Sequence, residues 1–293
     1  MMITGTSYPP QEGTVRLNRT PNTGLEDIKL VAFDLDDTLA PSKSALDPTM
    51  ARLLVRLAEL VPVCIISGGS FEQFRSQVLA GIEELREPTD TSGNWPISRF
   101  HLMPLSGTQY YAWTAGRWLR IYSEGHLARS DKEQIVQVLT DGAKSLGLWE
   151  SQTWGPIIED RGSQITFSAL GQAAPVERKT AWDPRGDKKE KLRAYAAERL
   201  PGLELRSGGS TSVDVTRKGI DKAYGMKELI NRLGITRTNV LFVGDRLDVG
   251  GNDYPVKAMG IRCVAVENWR DTAIFIRGMI QTFTLGEGRS GSA

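Results

Sequence analysis

Four short runs of aliphatic residues, with helical patterns between them, constrain the fold of this chain more than any other feature. They cover residues 30–33, 61–66, 240–243 and 264–266. A strand that is apolar along both faces needs cover on both sides, as in a parallel sheet between two helical layers. The sequence therefore predicts an α/β fold with a Rossmann-like core.

The segments between these strands repeat apolar residues at the period of an amphipathic helix. Residues 48–60 place leucines on one face, behind Asp47 as the N-cap and with Pro48 in the first turn. Residues 222–233 repeat this pattern. The order strand, helix, strand is the order that a parallel sheet requires.

The middle of the chain follows a different pattern. Runs at 157–160, 164–170 and 212–216 predict antiparallel strands, and residues 131–146 and 187–200 predict helices. Together they predict an α+β cap domain of about 100 residues, inserted into the core. The charge-rich start of the second helix is predicted to be a solvated face with little functional weight.

The predicted domain boundaries follow from these two patterns. The core takes residues 26–112 and 217–284, and the cap takes residues 113–216. Residues 1–25 and 285–293 are poor in aliphatic side chains and rich in turn formers. Both ends are therefore predicted to be disordered.

Charge and cysteine content narrow the class of protein. Thirty-six basic and thirty-five acidic residues leave a net charge of +1, which argues against binding to nucleic acid or to a membrane surface. No stretch approaches the length of an apolar membrane span. Cys64 and Cys263 each lie in an apolar run, which favours two buried thiols and a cytoplasmic location.

Polar side chains that can bind phosphate and metal follow three of the predicted strands. Asp34 and Asp36 follow the first strand, Ser67 follows the second, and Asp245 begins an acidic cluster after the third. Lys222 starts the helix that precedes the third strand. Open α/β sheets bind ligands at the carboxyl ends of their strands. Since Mg²⁺ prefers hard oxygen ligands and lysine binds anions, these residues predict a phosphate-and-magnesium site.

These motifs, in this order, resemble the four motifs of the haloacid-dehalogenase (HAD) superfamily of phosphotransferases. The position of the insert resembles the subclass with a large α/β cap, type IIB. Within that subclass, residues 158–162, 208–215, 219–224 and 250–253 read much like the eukaryotic-type phosphomannomutases. The resemblance extends from about residue 28 to residue 273, although the cap is divergent.

The resemblance implies a role for each motif residue. Asp34 would be the nucleophile that forms an aspartyl-phosphate, and Asp36 would be the general acid and base. Ser67 and Lys222 would hold the oxygens of the transferring phosphoryl group, although Ser70 is an alternative to Ser67. The implied Mg²⁺ ligands are Asp34, the backbone carbonyl of Asp36, Asp245, Asn252 and Asp253.

The resemblance also implies contacts to the sugar and its distal phosphate. The expected substrate-binding residues are Lys43, Gly68, Arg161, Lys179, Ser212 and Asp214. Arg178 is an alternative to Lys179. Arg161 and Asp214 have a second interpretation, as a structural ion pair across the cap sheet.

Three residues depart from the mutase pattern. Lys43 and Gln172 stand where the mutases have arginine, and Asp37 replaces a glycine. Because losing forked donors weakens the grip on a distal phosphate, the main prediction is a Mg²⁺-dependent phosphatase acting on a phosphorylated sugar. A phosphomannomutase is the alternative, and a non-catalytic sugar-phosphate binder is a remote one. A homodimer through the cap is a further expectation.

Overall fold

The computed structural model describes residues 14–15, 25–85 and 95–290, with side chains from residue 25 onward up to residue 285. The described residues form a larger sheet of eight strands and a smaller sheet of four strands. The strands are β1 (Thr14–Val15), β2 (Leu30–Phe33), β3 (Val63–Ile66), β4 (Phe100–Met103), β5 (Gln109–Thr114), β6 (Arg117–Ser123), β7 (Ile158–Asp160), β8 (Gln164–Ser168), β9 (Leu203–Ser207), β10 (Ser212–Arg217), β11 (Val240–Gly244) and β12 (Arg262–Ala265).

Helices cover both faces of the larger sheet and one face of the smaller sheet. They are α1 (Pro48–Leu60), α2 (Phe71–Phe74), α3 (Ala80–Glu83), α4 (Arg129–Ser145), α5 (Val176–Trp182), α6 (Asp187–Arg199), α7 (Lys222–Leu233), α8 (Tyr254–Ala258) and α9 (Trp269–Ser290). We call the smaller sheet with α4, α5 and α6 (residues 129–217) the cap. We call the larger sheet with its helices the core.

The larger sheet has the order β1-β12-β11-β2-β3-β4-β5-β6. In this spatial order, all neighbouring strands from β1 through β12, β11, β2 and β3 to β4 are parallel. Beyond β4, the strands β5 and β6 continue the sheet as an antiparallel hairpin. In β2, Val31 and Phe33 pack in the cluster that includes α1 and α9, whereas Leu30 and Ala32 pack in the cluster that includes α7 and α8. All four residues of β2 are buried, so the expectation of a strand covered on both faces is confirmed.

The register of the three central strands brings their carboxyl ends together. Phe33 at the end of β2 pairs with Ile65 of β3 on one side and with Val243 of β11 on the other. Each strand ends there and gives way to loop residues that carry polar side chains. The residues after β2, β3 and β11 therefore share one edge of the sheet, which is where ligands bind in open α/β sheets.

The smaller sheet is antiparallel, in the order β7-β8-β10-β9. Successive residues of β8 and β10 alternate between its two faces. Ile165, Phe167, Val213 and Val215 pack in the cluster that includes α4 and α6. The other face carries polar residues, among them Thr166 and Asp214, and this face lines a cavity shared with the core.

The α/β fold with a parallel sheet and an antiparallel insert is confirmed, but the predicted division between residues 112 and 113 falls inside β5. The β6 strand, over residues 117–123, also belongs to the larger sheet. An alternating pattern can identify an antiparallel strand but not the sheet to which it belongs, so sequence pattern alone does not place this boundary. We propose that the cap begins after residue 123.

The two predicted disordered ends differ from the structure in part. Residues 14–15 pair with β12, and the rest of residues 1–24 lies outside the described residues. Helix α9 continues to residue 290, so the tail predicted to be disordered from residue 285 begins as helix, and residues 291–293 lie outside the described range. No helix in the described part of the chain is long and apolar enough to cross a membrane. The homodimer through the cap stays a prediction.

Candidate active site

A cavity of about 840 Å³ lies where the core meets the cap. The core lines it with residues that follow β2, β3 and β11, including Asp34, Ser67 and Asp245. The cap lines it with the polar face of its sheet and the beginning of α6. Its volume falls in the range of about 300–1,000 Å³ that is typical of small-molecule sites.

A lysine between two carboxylates lies on the core side of this site. Lys222 is the first residue of α7, behind Asp221, whose carboxylate caps the helix by accepting the Tyr224 N–H. The Nζ atom of Lys222 lies 2.5 Å from Asp34 Oδ1 and 2.7 Å from Asp253 Oδ1. All three side chains are buried. Burial raises the pKa of Asp34 well above its ordinary value, although Lys222 lowers it, and both Asp253 and Asp245 add to the rise.

Three carboxylates come close enough together to share a metal ion. Oxygens of Asp34, Asp245 and Asp253 lie within 4.8 Å of one another. Burial, and then the charge of Asp253, raises the pKa of Asp245 to about 6. A cation at this point would remove the repulsion between these groups.

A neighbouring amide oxygen gives an independent test of whether a metal fits. The buried Oδ1 atom of Asn252 has no hydrogen-bond partner, and Asn252 lines the cavity with Asp34 and Asp245. By contrast, Asp253 uses one oxygen for Lys222 and the other for the Arg246 N–H at 3.1 Å. The donor set therefore fits a hard cation, with Asp34, Asp245 and Asn252 available to it and Asp253 behind them.

The loop after β2 holds Asp36 against Lys43. The backbone N–H and the Nζ atom of Lys43 each donate to Asp36, both at 2.7 Å. Burial alone would raise the pKa of Asp36, but Lys43 holds it below its ordinary value. Asp37 has φ 64°, a left-handed conformation that aspartate tolerates better than most residues, so it can occupy a position where the family uses glycine.

The structure separates the roles of the two serines that follow β3. Ser67 is buried, lines the cavity and accepts the Gly69 N–H at 3.1 Å. Ser70 instead caps α2 in a reciprocal capping box with Gln73. Of the two, Ser67 is the one whose hydroxyl faces the cavity. Gly68 also lines the cavity, and its carbonyl accepts from Arg161 of the cap at 3.3 Å.

The cavity brings together most of the predicted substrate contacts. Lys43, Gly68, Arg161, Ser212 and Asp214 all line it. Two nitrogens of Arg161 also donate to Glu159, and Asp214 accepts from Thr166 at 2.8 Å. Burial raises the pKa of Asp214, although Arg161 lowers it.

The predicted substrate contact Lys179 directs its ammonium to the protein backbone. It is not among the residues that line the cavity. Its Nζ atom is buried and donates to the backbone carbonyl of Gln172 at 2.7 Å. The side chain of Gln172 lines the cavity and accepts from Gln73 of the core at 3.0 Å. Lys179 thus supports the loop that carries Gln172.

Cations at the start of α6 and on β9 line the cavity and were not predicted as site residues. Arg185, Lys189, Arg193 and Arg206 all contribute to the wall. The charged run predicted as a solvated face is exposed over most of its length, and part of it also lines the cavity. Lys189 and Arg193 are four residues apart and share a helix face, which is a signal that the sequence carries. What that face meets depends on the packing of the cap against the core.

Comparison with known proteins places the chain in a family. The family model for eukaryotic phosphomannomutase matches residues 132–281, which is half of the chain. The chain belongs to the eukaryotic phosphomannomutase family. It is 27% identical to human phosphomannomutase 1 over 236 residues, which cover 78% of this chain and 83% of the human protein. It is 26% identical to the phosphomannomutase of Schizosaccharomyces pombe over 235 residues, which cover 78% of this chain and 84% of that protein.

Solved structures show the same fold for this phosphomannomutase-family chain at lower sequence identity. The ATP-bound IMP-nucleotidase of Plasmodium falciparum matches with a TM-score of 0.67 at 15% identity, over 87% of this chain and 60% of that one. A haloacid-dehalogenase-like hydrolase from Bacteroides thetaiotaomicron matches with a TM-score of 0.53 at 17% identity, over 88% of this chain and 98% of that one. The fold that the HAD resemblance implies is confirmed, and membership of the phosphomannomutase family makes the protein an enzyme that acts on phosphate esters.

Proposed function

We propose that this protein is a phosphosugar mutase of the phosphomannomutase kind, which moves a phosphoryl group between two hydroxyls of a hexose. One observation carries the proposal: a single cavity has the carboxylates of Asp34 and Asp36 on its core side and several cations on its cap side. A mutase must hold one phosphate at the reacting carboxylate and the other at a distance from it. The names of the relatives support a mutase more than the hydrolase that Lys43 and Gln172 suggested.

The proposed cycle starts with a phosphoryl group on Asp34. A sugar hydroxyl attacks the phosphorus, the bond between phosphorus and the Asp34 oxygen breaks, and Asp36 accepts the hydroxyl proton. The bisphosphate then turns over in the cavity, and Asp34 attacks its other phosphorus. Asp36 returns the proton to the departing sugar oxygen. Lys43 favours the ionised form of Asp36, which is the form that accepts a proton.

Other residues of the site hold the transferring group. The Lys222 ammonium lies against the Asp34 oxygen, where it stabilises negative charge on a phosphoryl group attached to that oxygen. Ser67 supplies a hydroxyl donor in the same cavity. Asp34, Asp245 and Asn252 would hold a Mg²⁺ ion, and the backbone carbonyl of Asp36 stays a predicted ligand. Such an ion would neutralise charge on the phosphoryl oxygens.

Phosphorus NMR tests the proposal directly. The purified protein is incubated with Mg²⁺, mannose 1-phosphate and a trace of glucose 1,6-bisphosphate. A growing mannose 6-phosphate signal is the expected result. Asp34→Asn removes the nucleophile and should abolish the signal, and EDTA in place of Mg²⁺ should do the same. An active Asp34→Asn protein would contradict the aspartyl-phosphate mechanism.

A phosphatase is the second candidate because of two specific contacts. Lys43 is engaged by Asp36, and Gln172 is a neutral amide where the family has arginine. A weaker hold on the distal phosphate would let the sugar leave and water enter, and water would then take the phosphoryl group from Asp34. Inorganic phosphate without mannose 6-phosphate in the same experiment would favour this candidate over the mutase.

A further inference from the structure

The cations in the wall of the cavity differ in whether a carboxylate neutralises them. Within the described residues, each of the other cavity cations has an acidic partner at ion-pair distance. These pairs are Lys43 with Asp36, Arg161 with Glu159, Arg185 with Asp187, Arg193 with Glu190, Arg206 with Glu204 and Asp221, and Arg246 with Asp248. Lys189 has no such partner among the described residues, and its ammonium is held only by carbonyl groups.

The backbone fixes the position of the Lys189 ammonium. Its Nζ atom donates to the carbonyls of Gly209 at 2.6 Å and Gly208 at 3.3 Å, in the turn between β9 and β10. At the other end of the residue, the backbone N–H of Lys189 donates to the Asp183 carboxylate, which also accepts the N–H of Lys188 in the first turn of α6. Carbonyl groups orient an ammonium, but they carry no full negative charge to form an ion pair with it.

Lys189 reaches from the cap toward two catalytic loops of the core. Burial lowers the pKa of Lys189, and the carboxylate of Asp183, which is beyond ion-pair distance, raises it. Two core loops act on it as well: Arg246 after β11 lowers the pKa, and Asp37 after β2 raises it, as does Glu190 of the cap. Gly209, whose carbonyl binds Lys189, lies against Ser42 of the core, since a Cβ atom built there would be 3.1 Å from Ser42 Oγ. The Lys189 ammonium, which has no carboxylate at ion-pair distance among the described residues, therefore lies where the cap faces the loops after β2 and β11.

We propose that Lys189 is a specificity-determining residue that binds a second anionic group of the substrate, the phosphate that is not being transferred. This assignment rests on the proposed function, because a bisphosphorylated sugar has one phosphate at Asp34 and needs a cation for the other. A substrate anion would supply the ion-pair partner that no carboxylate of the described residues provides to Lys189. Lys189 thereby takes over part of the role that Lys43 and Gln172, in place of arginines, fill less well.

Steady-state kinetics with glucose 1,6-bisphosphate as the phosphoryl donor test the assignment. Lys189→Met keeps the apolar stem of the side chain and removes its charge. It should raise KM for the bisphosphate by about 10- to 100-fold, as expected for a lost charge-assisted hydrogen bond, and change kcat by much less. Lys189→Arg, which keeps the charge, should restore most of the affinity. Lys191→Met, at an exposed position outside the cavity on the same helix, is the matched control and should behave like wild type.

The outcomes separate this assignment from the proposed function. If the wild-type protein is active and the KM of Lys189→Met is within twofold of the wild-type KM, the assignment of Lys189 is overturned and the proposed function is not. A fall in kcat without a rise in KM, or a failure of Lys189→Arg to rescue, overturns it as well, because either result indicates a structural role. A wild-type protein without phosphoryl transfer on any hexose phosphate overturns both the proposed function and the assignment.

Discussion

Lys222 has an effect on stability that can be measured apart from catalysis. It is the cation that lies between the buried carboxylates of Asp34 and Asp253, at 2.5 and 2.7 Å. Lys222→Met leaves both acids buried without it. Removing one partner of a buried ion pair costs about 3–5 kcal/mol of unfolding free energy, so we expect a loss of this size in urea unfolding in EDTA at pH 8.

A second substitution distinguishes lost charge from lost packing at this position. The double variant Lys222→Met/Asp253→Asn lacks one of the two carboxylates that Lys222→Met leaves unpaired. Its unfolding free energy should therefore be higher than that of Lys222→Met alone. Because protonation neutralises an acid with a raised pKa, the loss in Lys222→Met should also be smaller at pH 5 than at pH 8. A loss that is the same at both pH values and unaffected by Asp253→Asn would indicate a packing defect.

His101 makes the stability of the core depend on pH. Its Nδ1 atom lies 2.8 Å from the hydroxyl of Tyr110, and burial lowers its pKa from 6.5 to about 4. As the pH falls below 6.5, the unfolded chain binds a proton at this residue, whereas the folded protein does not until about pH 4. This contribution to stability is therefore present above pH 6.5 and lost as the pH falls, by about 2 kcal/mol between pH 7.5 and 5.

The variant His101→Gln tests this contribution, because glutamine can still bond to the Tyr110 hydroxyl but does not titrate. Urea unfolding at pH 7.5 and pH 5 gives the change in unfolding free energy for each protein. The change should be smaller in His101→Gln by about 2 kcal/mol. Equal changes in the two proteins would show that His101 is protonated just as readily in the folded state.

At the scale of the element, α7 packs against the turn at Leu105–Gly107, where Gly225 of the helix contacts Gly107 of the turn. A Cβ atom at Gly225 would lie 2.7 Å from the Ser106 carbonyl oxygen and 2.7 Å from Ile66 Cδ1. Gly225→Ala must therefore move the helix, and we expect a net loss of about 1–3 kcal/mol in urea unfolding, despite the better helix propensity of alanine. Since Lys222 lies one turn earlier, kcat should fall as well.

Gly278 provides the matched control for this prediction. It is also a helical glycine, in α9, but nothing lies within 4 Å of a Cβ atom built on it. Gly278→Ala should therefore stabilise the protein by about 0.5–1 kcal/mol and leave activity unchanged. Two alanine variants with the same effect would contradict the close approach at Gly225.

The sequence predicts an element well when residues close together in the chain determine it, and less well when a distant partner does. The helix over 48–60, with Asp47 as its cap, and the strand over 30–33 follow from neighbouring residues, and the structure has both with these bounds. The hairpin over 109–123 pairs with β4, a partner that alternation alone does not specify. The predicted boundary between residues 112 and 113 therefore divides this hairpin.

The same distinction applies to the site. Asp34, Ser67 and Asp245 follow buried strands, so a strand pattern is enough to bring them to one edge. Lys179 and Lys189 lie on cap helices, and whether each faces the cavity depends on how those helices pack on their sheet. The sequence prediction included Lys179, which is turned toward a backbone carbonyl, and passed over Lys189, which lines the cavity.

At the scale of the whole molecule, the cap and the core are joined by contacts on both sides of the cavity. On the side of β3, Gln164 and Arg161 of the cap donate to the carbonyl of Gly68, at 3.1 and 3.3 Å. On the side of α7, Arg206 of the cap lies 3.2 Å from Asp221, the N-cap residue directly before Lys222. In the proposed reaction, a sugar phosphate enters and leaves between these contacts, so we expect their strength to set how readily the cavity opens.

Asp221→Asn weakens the second contact without removing the helix cap, because asparagine also accepts the Tyr224 N–H. The ion pair is partly exposed, so we expect a loss of about 1 kcal/mol of closure free energy, seen as a roughly fivefold rise in KM for the sugar phosphate.

Asp160→Asn is the matched control. It weakens the pair of Asp160 with Lys132 while keeping the acceptor for the Gly162 N–H, and all of these groups lie in the cap. Its KM should match wild type. An equal rise in both variants, or in neither, would mean that the Arg206–Asp221 pair does not control the opening between cap and core.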